Sequence, residues 1–203
     1  MNAGLGNLST LKSRLLPPQS VAQTDDDAEI TAIGLGVARW FEQTCDRKFE
    51  RIEGDTYLCR SDRTYLTVPR YPLESVTTIE QLPIGQAAWT PAPPTWLLFP
   101  ESGLIDFAAT LGTPYTQLRL TYTGGYWWDE TEDASGVQPM NSHPLPLDLH
   151  FAWLDQCAFL YERRTKLGLQ KIAHLGGTYS LEPTDLLPHV RAILQNYRRH
   201  ALT

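Results

Sequence analysis

Apolar residues recur at helical spacing near both ends of the chain and with a period of two through its middle. Leu5, Leu8, Leu11 and Leu15 follow the helical repeat and predict a short helix over about 8–16, closed by Pro17-Pro18. Thr24 to Asp27 offer capping oxygens and negative charge to a second helix, about 25–46. Its apolar face is Ile30, Ile33, Val37, Phe41 and Cys45. Gly34 and Gly36 each weaken that helix by about 1 kcal/mol relative to alanine, so they permit close approach of another backbone or mark a kink.

From Phe49 the period changes. Thr64–Val68 and Leu118–Tyr122 alternate apolar with polar, and Asp55–Arg60, Ser75–Gln81, Thr95–Phe99 and Leu104–Phe107 are shorter strand candidates. Pro69, Pro72, Pro83, Pro91, Pro93, Pro94, Pro100 and Pro114 interrupt them; proline cannot donate to a strand ladder, so they predict turns and edges rather than the middle of a large sheet. The expectation is a small antiparallel sheet over about 49–123 with protruding loops. An aperiodic loop over about 124–145 follows, carrying Asp129, Glu130, Glu132 and Asp133.

Pro146 and Asp148 then open a third helix, about 146–167. Leu147, Phe151, Leu154, Ala158 and Tyr161 make one apolar face, and Leu149, Trp153, Cys157 and Leu160 a second, leaving a narrow polar stripe at Asp148, Asp155 and Glu162. A helix this apolar is central to its domain or packed between subunits. After a glycine-rich loop at Gly176-Gly177, Leu187, Val190, Leu194 and Tyr197 define a last helix, about 185–200. The pattern is α+β, in one domain spanning 1–203.

Composition narrows the function classes. A chain of 203 residues buries roughly 70% of its unfolded surface and needs no disulfide or metal to fold. Cys45, Cys59 and Cys157 are odd in number, far apart and outside any zinc spacing, so reduced thiols are expected. No signal peptide is expected, and no apolar run approaches the ~18 residues of a membrane span. The net charge of −6 argues against a general nucleic-acid binder. That charge is uneven: residues 1–159 carry 10 Lys+Arg and 20 Asp+Glu, net −10, and residues 160–203 carry 7 and 3, net +4. The asymmetry reads either as two electrically different ends or as arginines collected at helix C-termini.

Candidate chemistry is sparse. His143, His150, His174, His189 and His200 have no nucleophile partner in sequence, no serine sits in a GxSxG elbow, and Gly4-Leu5-Gly6 and Gly34-Leu35-Gly36 lack the strand–turn–helix setting of a phosphate loop. Asp25-Asp26-Asp27 reads as capping and solvated charge. No enzyme activity, cofactor or metal is expected. The conspicuous local feature is Tyr126-Trp127-Trp128 beside the acidic loop: a protein contact, a carbohydrate platform, or aromatics that pin the loop to the protein's own core.

Six pieces in order resemble the head–tail connector (adaptor) family of tailed bacteriophages. They are Leu11-Lys12 with Leu15; the acidic start Asp25-Asp26-Asp27 and the helix running into Cys45-Asp46-Arg47-Lys48-Phe49; Leu66-Thr67-Val68-Pro69 with Tyr71-Pro72-Leu73-Glu74-Ser75-Val76; Leu120-Thr121-Tyr122-Thr123-Gly124-Gly125-Tyr126; Pro146-Leu147-Asp148-Leu149 opening a helix that ends Tyr161-Glu162-Arg163-Arg164; and Leu186-Leu187-Pro188 leading to Tyr197-Arg198-Arg199. Pro83 to Pro94 and the loop at Trp127-Trp128 are longer than a minimal member needs. The resemblance implies a mainly α-helical core with a small antiparallel β-rich insertion. It implies a structural virion protein at the neck, made in the host cytoplasm, that forms a ring of dodecamer type beneath the portal, docks the stopper or tail, and lets genomic DNA pass without specific binding. It further implies no membrane. On that reading Tyr197, Arg198, Arg199 and His200 are the expected portal interface and Tyr126, Trp127 and Trp128 a loop interface; the alternative is a carbohydrate- or protein-binding module using the aromatic loop.

Overall fold

The structure, a computed structural model, describes residues 2–60, 64–92, 95–107, 116–128, 138–164, 171–174, 177–180 and 185–199. Asp129, Glu130, Glu132 and Asp133 of the expected acidic loop, Pro93, Pro94, Pro114, Gly176 and His200 lie outside the described residues. The described chain forms two compact units. One takes its residues from Met1–Cys45 and Leu145–Arg198, the other from Asp46–Trp128 and Val137–Pro144, with Arg199.

The first unit is built on helices α1 (Leu8–Leu15), α2 (Asp27–Cys45), α3 (Leu147–Arg163) and α4 (Pro188–Asn196). Ile30, Val37, Phe41 and Cys45 of α2 are buried, as their spacing predicts. Trp153 of α3 is wholly buried and its indole N–H donates to the Gly34 carbonyl at 2.9 Å. A Cβ on Gly34 would stand 2.2 Å from the Ala3 carbonyl oxygen and 3.1 Å from the Trp153 ring, so only glycine lets these backbones approach. Two residues on, a Cβ at Gly36 would meet nothing within 4 Å. Gln156 is buried between α3 and the start of α4, its Nε2 donating to the Asp185 carbonyl at 3.3 Å and its Oε1 accepting the Leu187 N–H at 2.9 Å. It thereby satisfies backbone groups that would otherwise be orphaned at a helix start. Lys12, also buried, reaches Asp27 at 2.6 Å and ties α1 to the start of α2. Where the sequence suggests only a glycine-rich loop, an antiparallel hairpin forms from β10 (Lys171–His174) and β11 (Gly177–Ser180).

The second unit holds β1 (Ile52–Arg60), β2 (Tyr65–Thr67), β3 (Leu73–Leu82), β4 (Thr90–Pro91), β5 (Trp96–Phe99), β6 (Leu104–Phe107), β7 (Gln117–Gly124), β8 (Tyr126–Trp127) and β9 (His143–Pro144). A four-stranded sheet runs β1-β7-β3-β4 and a three-stranded one β2-β6-β5, both antiparallel, while β8 pairs with β9 in parallel. Leu118, Leu120 and Tyr122 of β7, Leu73 and Ile79 of β3, and Leu66, Ile105 and Phe107 of the second sheet are buried in one common core.

The expected mainly helical core with a small β-rich insertion is therefore wrong. The protein is a β-rich α+β fold: among the described residues strands occupy nearly as much of the chain as α-helices, in three antiparallel sheets and one parallel pair. The prolines misled. Pro83 and Pro100 fall between strands and Pro91 closes the two-residue edge strand β4, leaving β1, β3 and β7 free to run nine, ten and eight residues. Alternation identified single strands but not that two sheets share one buried cluster, which is what gives this unit a core of its own.

Candidate functional site

Tyr126 is held by its backbone. Its N–H donates to the Phe49 carbonyl at 2.7 Å, its carbonyl accepts the Arg51 N–H at 3.0 Å, and Trp127 stands opposite Pro144 in the β8–β9 pair. The neighbouring Gly125, at φ +99°, lies so close to Glu50 that a Cβ would sit 2.5 Å from its carbonyl oxygen. The Tyr126 ring stacks on Phe49 with centroids 6.5 Å apart and an interplanar angle of 18°. Burial raises its phenol above the ordinary tyrosine value while Arg47 pulls the other way. Trp127 and Trp128 are half-buried, and the buried Trp128 indole N–H finds no acceptor among the described residues. The triplet is thus seated in the second unit, with Tyr126 pinned and the two tryptophans partly open to solvent.

What pins it is a group the sequence reading passed over. Arg47, only 5% exposed, lies 3.5 Å above the Tyr71 ring and 5.1 and 5.3 Å from the Phe49 and Tyr126 rings, and donates to the Tyr71 carbonyl. A guanidinium in this setting gains from the ring quadrupoles, which offsets part of its desolvation. Beside it Arg70 pairs with Asp55 at 2.8 Å and donates to the Glu50 carbonyl; the Tyr122 hydroxyl faces the same carboxylate oxygen at 3.4 Å. Burial, then Asp55, pushes the Tyr122 phenol up. Arg51 grips Glu74 through two hydrogen bonds of 2.7 and 2.9 Å, and that carboxylate raises the guanidinium further. Three arginines thus order the segments 46–51, 70–74 and 125–126. Nothing in the sequence marks Arg47 and Arg70 as buried or Arg51 as half-buried, though Arg47 stands in the motif that closes the second helix.

The structure separates the expected terminal interface residues. The Tyr197 hydroxyl donates to Asp148 at 2.6 Å within the first unit. Arg199, in the second unit, donates to the carbonyl and hydroxyl oxygens of Thr67 at 2.6 and 2.9 Å and lies 3.9 Å from Asp46. Arg198 between them is exposed. Among the described residues no group of His, Cys, Asp or Glu is placed to hold a metal ion, and no helix is long and apolar enough to cross a membrane.

The sequence matches no protein-family model and no curated protein. The fold does have solved relatives. A chain of a structure described as the virion of a native gene transfer agent particle superposes with a TM-score of 0.63 at 16% identity, over 97% of this chain and 90% of that one. A chain of the neck of an empty gene transfer agent particle, computed with C6 symmetry, gives 0.62 at 17% identity over the same shares. The fold is one found in gene transfer agent particles. At this identity the likeness concerns the path of the backbone, and it spans both units.

Apolar side chains are also left open to solvent. In the second unit Leu97 and Phe99 point outward from edge strand β5, while their neighbours Trp96 and Leu98 pack on the core. In the first unit Leu147 is 71% and Phe151 58% exposed, one turn apart on α3, and Leu35 on α2 is 39% exposed.

Proposed function

We propose that the chain is a structural protein of the neck of a phage-like particle, a head–tail connector that assembles as a ring beneath the portal and receives the stopper or tail. The observation that carries this reading is the match of nearly the whole fold to a chain from a neck structure. The sixfold symmetry of that neck fits a ring whose copy number is a multiple of six, a dodecamer included. The ordered motifs from Leu11 to Arg199 support the same assignment. Exposed apolar side chains on both units suit a subunit that buries surface only on assembly. On this reading the chain performs no catalysis: copies dock on the portal, offer a new ring surface below it, and keep a channel open. Net negative charge keeps that channel from gripping DNA.

Within this proposal the terminal segment Tyr197, Arg198, Arg199 and His200 docks on the portal, with Tyr197 and Arg199, each hydrogen-bonded to its own unit, presenting Arg198 outward. Tyr126, Trp127 and Trp128 contribute a second contact through the open edges of the tryptophans. No observation favours the carbohydrate alternative, since Tyr126 is stacked on Phe49 rather than presented.

The test is sedimentation of the purified protein with portal-bearing, DNA-filled heads against portal-less heads. Portal-dependent co-sedimentation in a fixed ratio to the portal subunit is the expected result; a folded protein that ignores competent portals would sink the proposal. Arg198→Glu should abolish the co-sedimentation with an unchanged melting temperature.

A further inference from the structure

The first unit carries two open surfaces that face opposite ways. Residues two apart on a helix point about 200° from one another. Gly34 of α2 packs against Trp153 of α3, so Gly36 points away from α3. By the same rotation Phe151 points away from α2, on the far side of α3 from Trp153. Each surface is open: Phe151 and Leu147 are more than half exposed, and α2 shows Ala32, Leu35, Gly36 and Arg39 to solvent. A mid-helix glycine weakens α2, and among the described residues nothing lies close enough to Gly36 to require one. The surfaces are also complementary in shape and charge. The α3 surface is a projecting ring and leucine beside the carboxylate of Asp148, three residues before Phe151; Asp155, four after it, is already paired with Arg14 at 2.8 Å. The α2 surface is a strip of small residues, Ala32 and Gly36, beside Leu35, with exposed Arg39 three residues along.

We infer that these surfaces bind each other between copies: Leu147 and Phe151 of one subunit seat on Ala32, Leu35 and Gly36 of the next, with Arg39 beside Asp148. The inference rests on the ring reading above and specifies how that ring is made. Two different patches, unable to meet within one molecule, generate a head-to-tail contact, the type that closes into a ring when the rotation between copies allows. Aromatic and apolar side chains at the centre with charges around them is the usual anatomy of such a contact.

The test uses two full-length variants, Phe151→Ser and Gly36→Trp. Both positions are exposed, so each variant should keep a cooperative melt. Ring formation is followed by native mass spectrometry of the free protein and, in parallel, by counting copies on portal-bearing heads. Each variant alone should associate about tenfold more weakly or worse than the unaltered chain. Mixed, they should form one-to-one dimers that cannot grow, because the Gly36→Trp chain retains its α3 surface and the Phe151→Ser chain its α2 surface. Variants that still form rings, or a mixture that gives no dimer, would overturn this contact and leave the ring reading standing. An unaltered chain that forms no ring either free or on heads would overturn both.

Discussion

Gly34 and Gly36 stand two positions apart in α2 and should respond to alanine with opposite signs. At Gly34 the new methyl runs into the Ala3 carbonyl at 2.2 Å, and Gly34→Ala should cost about 1–3 kcal/mol as the N-terminal segment is forced out. At Gly36 the methyl meets nothing, and Gly36→Ala should stabilise by about 1 kcal/mol through restored helix propensity. Urea melts of the two variants against the parent check both signs. In the second unit Asp55→Ala strands the buried Arg70 guanidinium. Because the Asp55 side chain is 28% exposed and partly screened, the loss should be about 2 kcal/mol rather than the larger value of a fully buried pair. Replacing Arg70 and Asp55 together with apolar residues should recover much of it, which a double-mutant cycle measures.

The start of α4 shows the same dependence on single groups at the level of an element. Asp185 accepts the Leu186 N–H at 2.7 Å and pairs with Arg191 at 2.5 Å; the backbone bond first, and the arginine after it, hold its carboxyl below the ordinary value. A carboxylate whose folded value is depressed contributes stability that is complete above its unfolded value and disappears as the pH falls through the folded one. Asp185→Asn should therefore melt below the parent near neutral pH, with the gap closing from about pH 4 downward. Thermal melts across that range decide it; a gap that persists in acid would show that the side chain acts through something other than its charge. For α3, the sequence showed an apolar helix with two faces and left open whether it was central or between subunits. The structure divides those roles along one helix: Leu149, Trp153 and Cys157 are buried, while Leu147 and Phe151 at its start are open.

Across the whole molecule, charge and fold make separate demands. A net charge of −6 should leave the protein unable to retard duplex DNA in a gel even at low salt, and retardation would remove the argument that its ring passes DNA freely. What the sequence made legible was local. The spacing of Ile30, Val37, Phe41 and Cys45 identified a buried helix face, and the alternation of Leu118, Leu120 and Tyr122 identified a strand that proves central to its sheet. What it hid was pairing over distance. Period two says which side of a strand is apolar and not which strand lies beside it, so two sheets sharing one core looked like a small insertion. The arginines at 47, 51 and 70 were illegible for a related reason: charged residues are read as solvated until folding supplies the rings and carboxylates that take them in. Tyr197 and Arg199 read as an interface at the end of the last helix, and the sequence carries no sign of their partners within the chain, because Asp148 and Thr67 lie about fifty and more than a hundred residues away.

The three thiols also have a practical side. Cys45 and Cys157 are buried, and burial pushes Cys157 upward; Cys59, partly covered on β1, is pushed up to about 11, mainly by burial. Cys59 thus stays a thiol at neutral pH, and the thiolate is the form that reacts. The native chain is therefore its own silent background for maleimide labelling. A cysteine placed at Leu147 or Gly36 would take a dye or spin label alone, and distances between copies could be read without first stripping the protein of its natural sulfur.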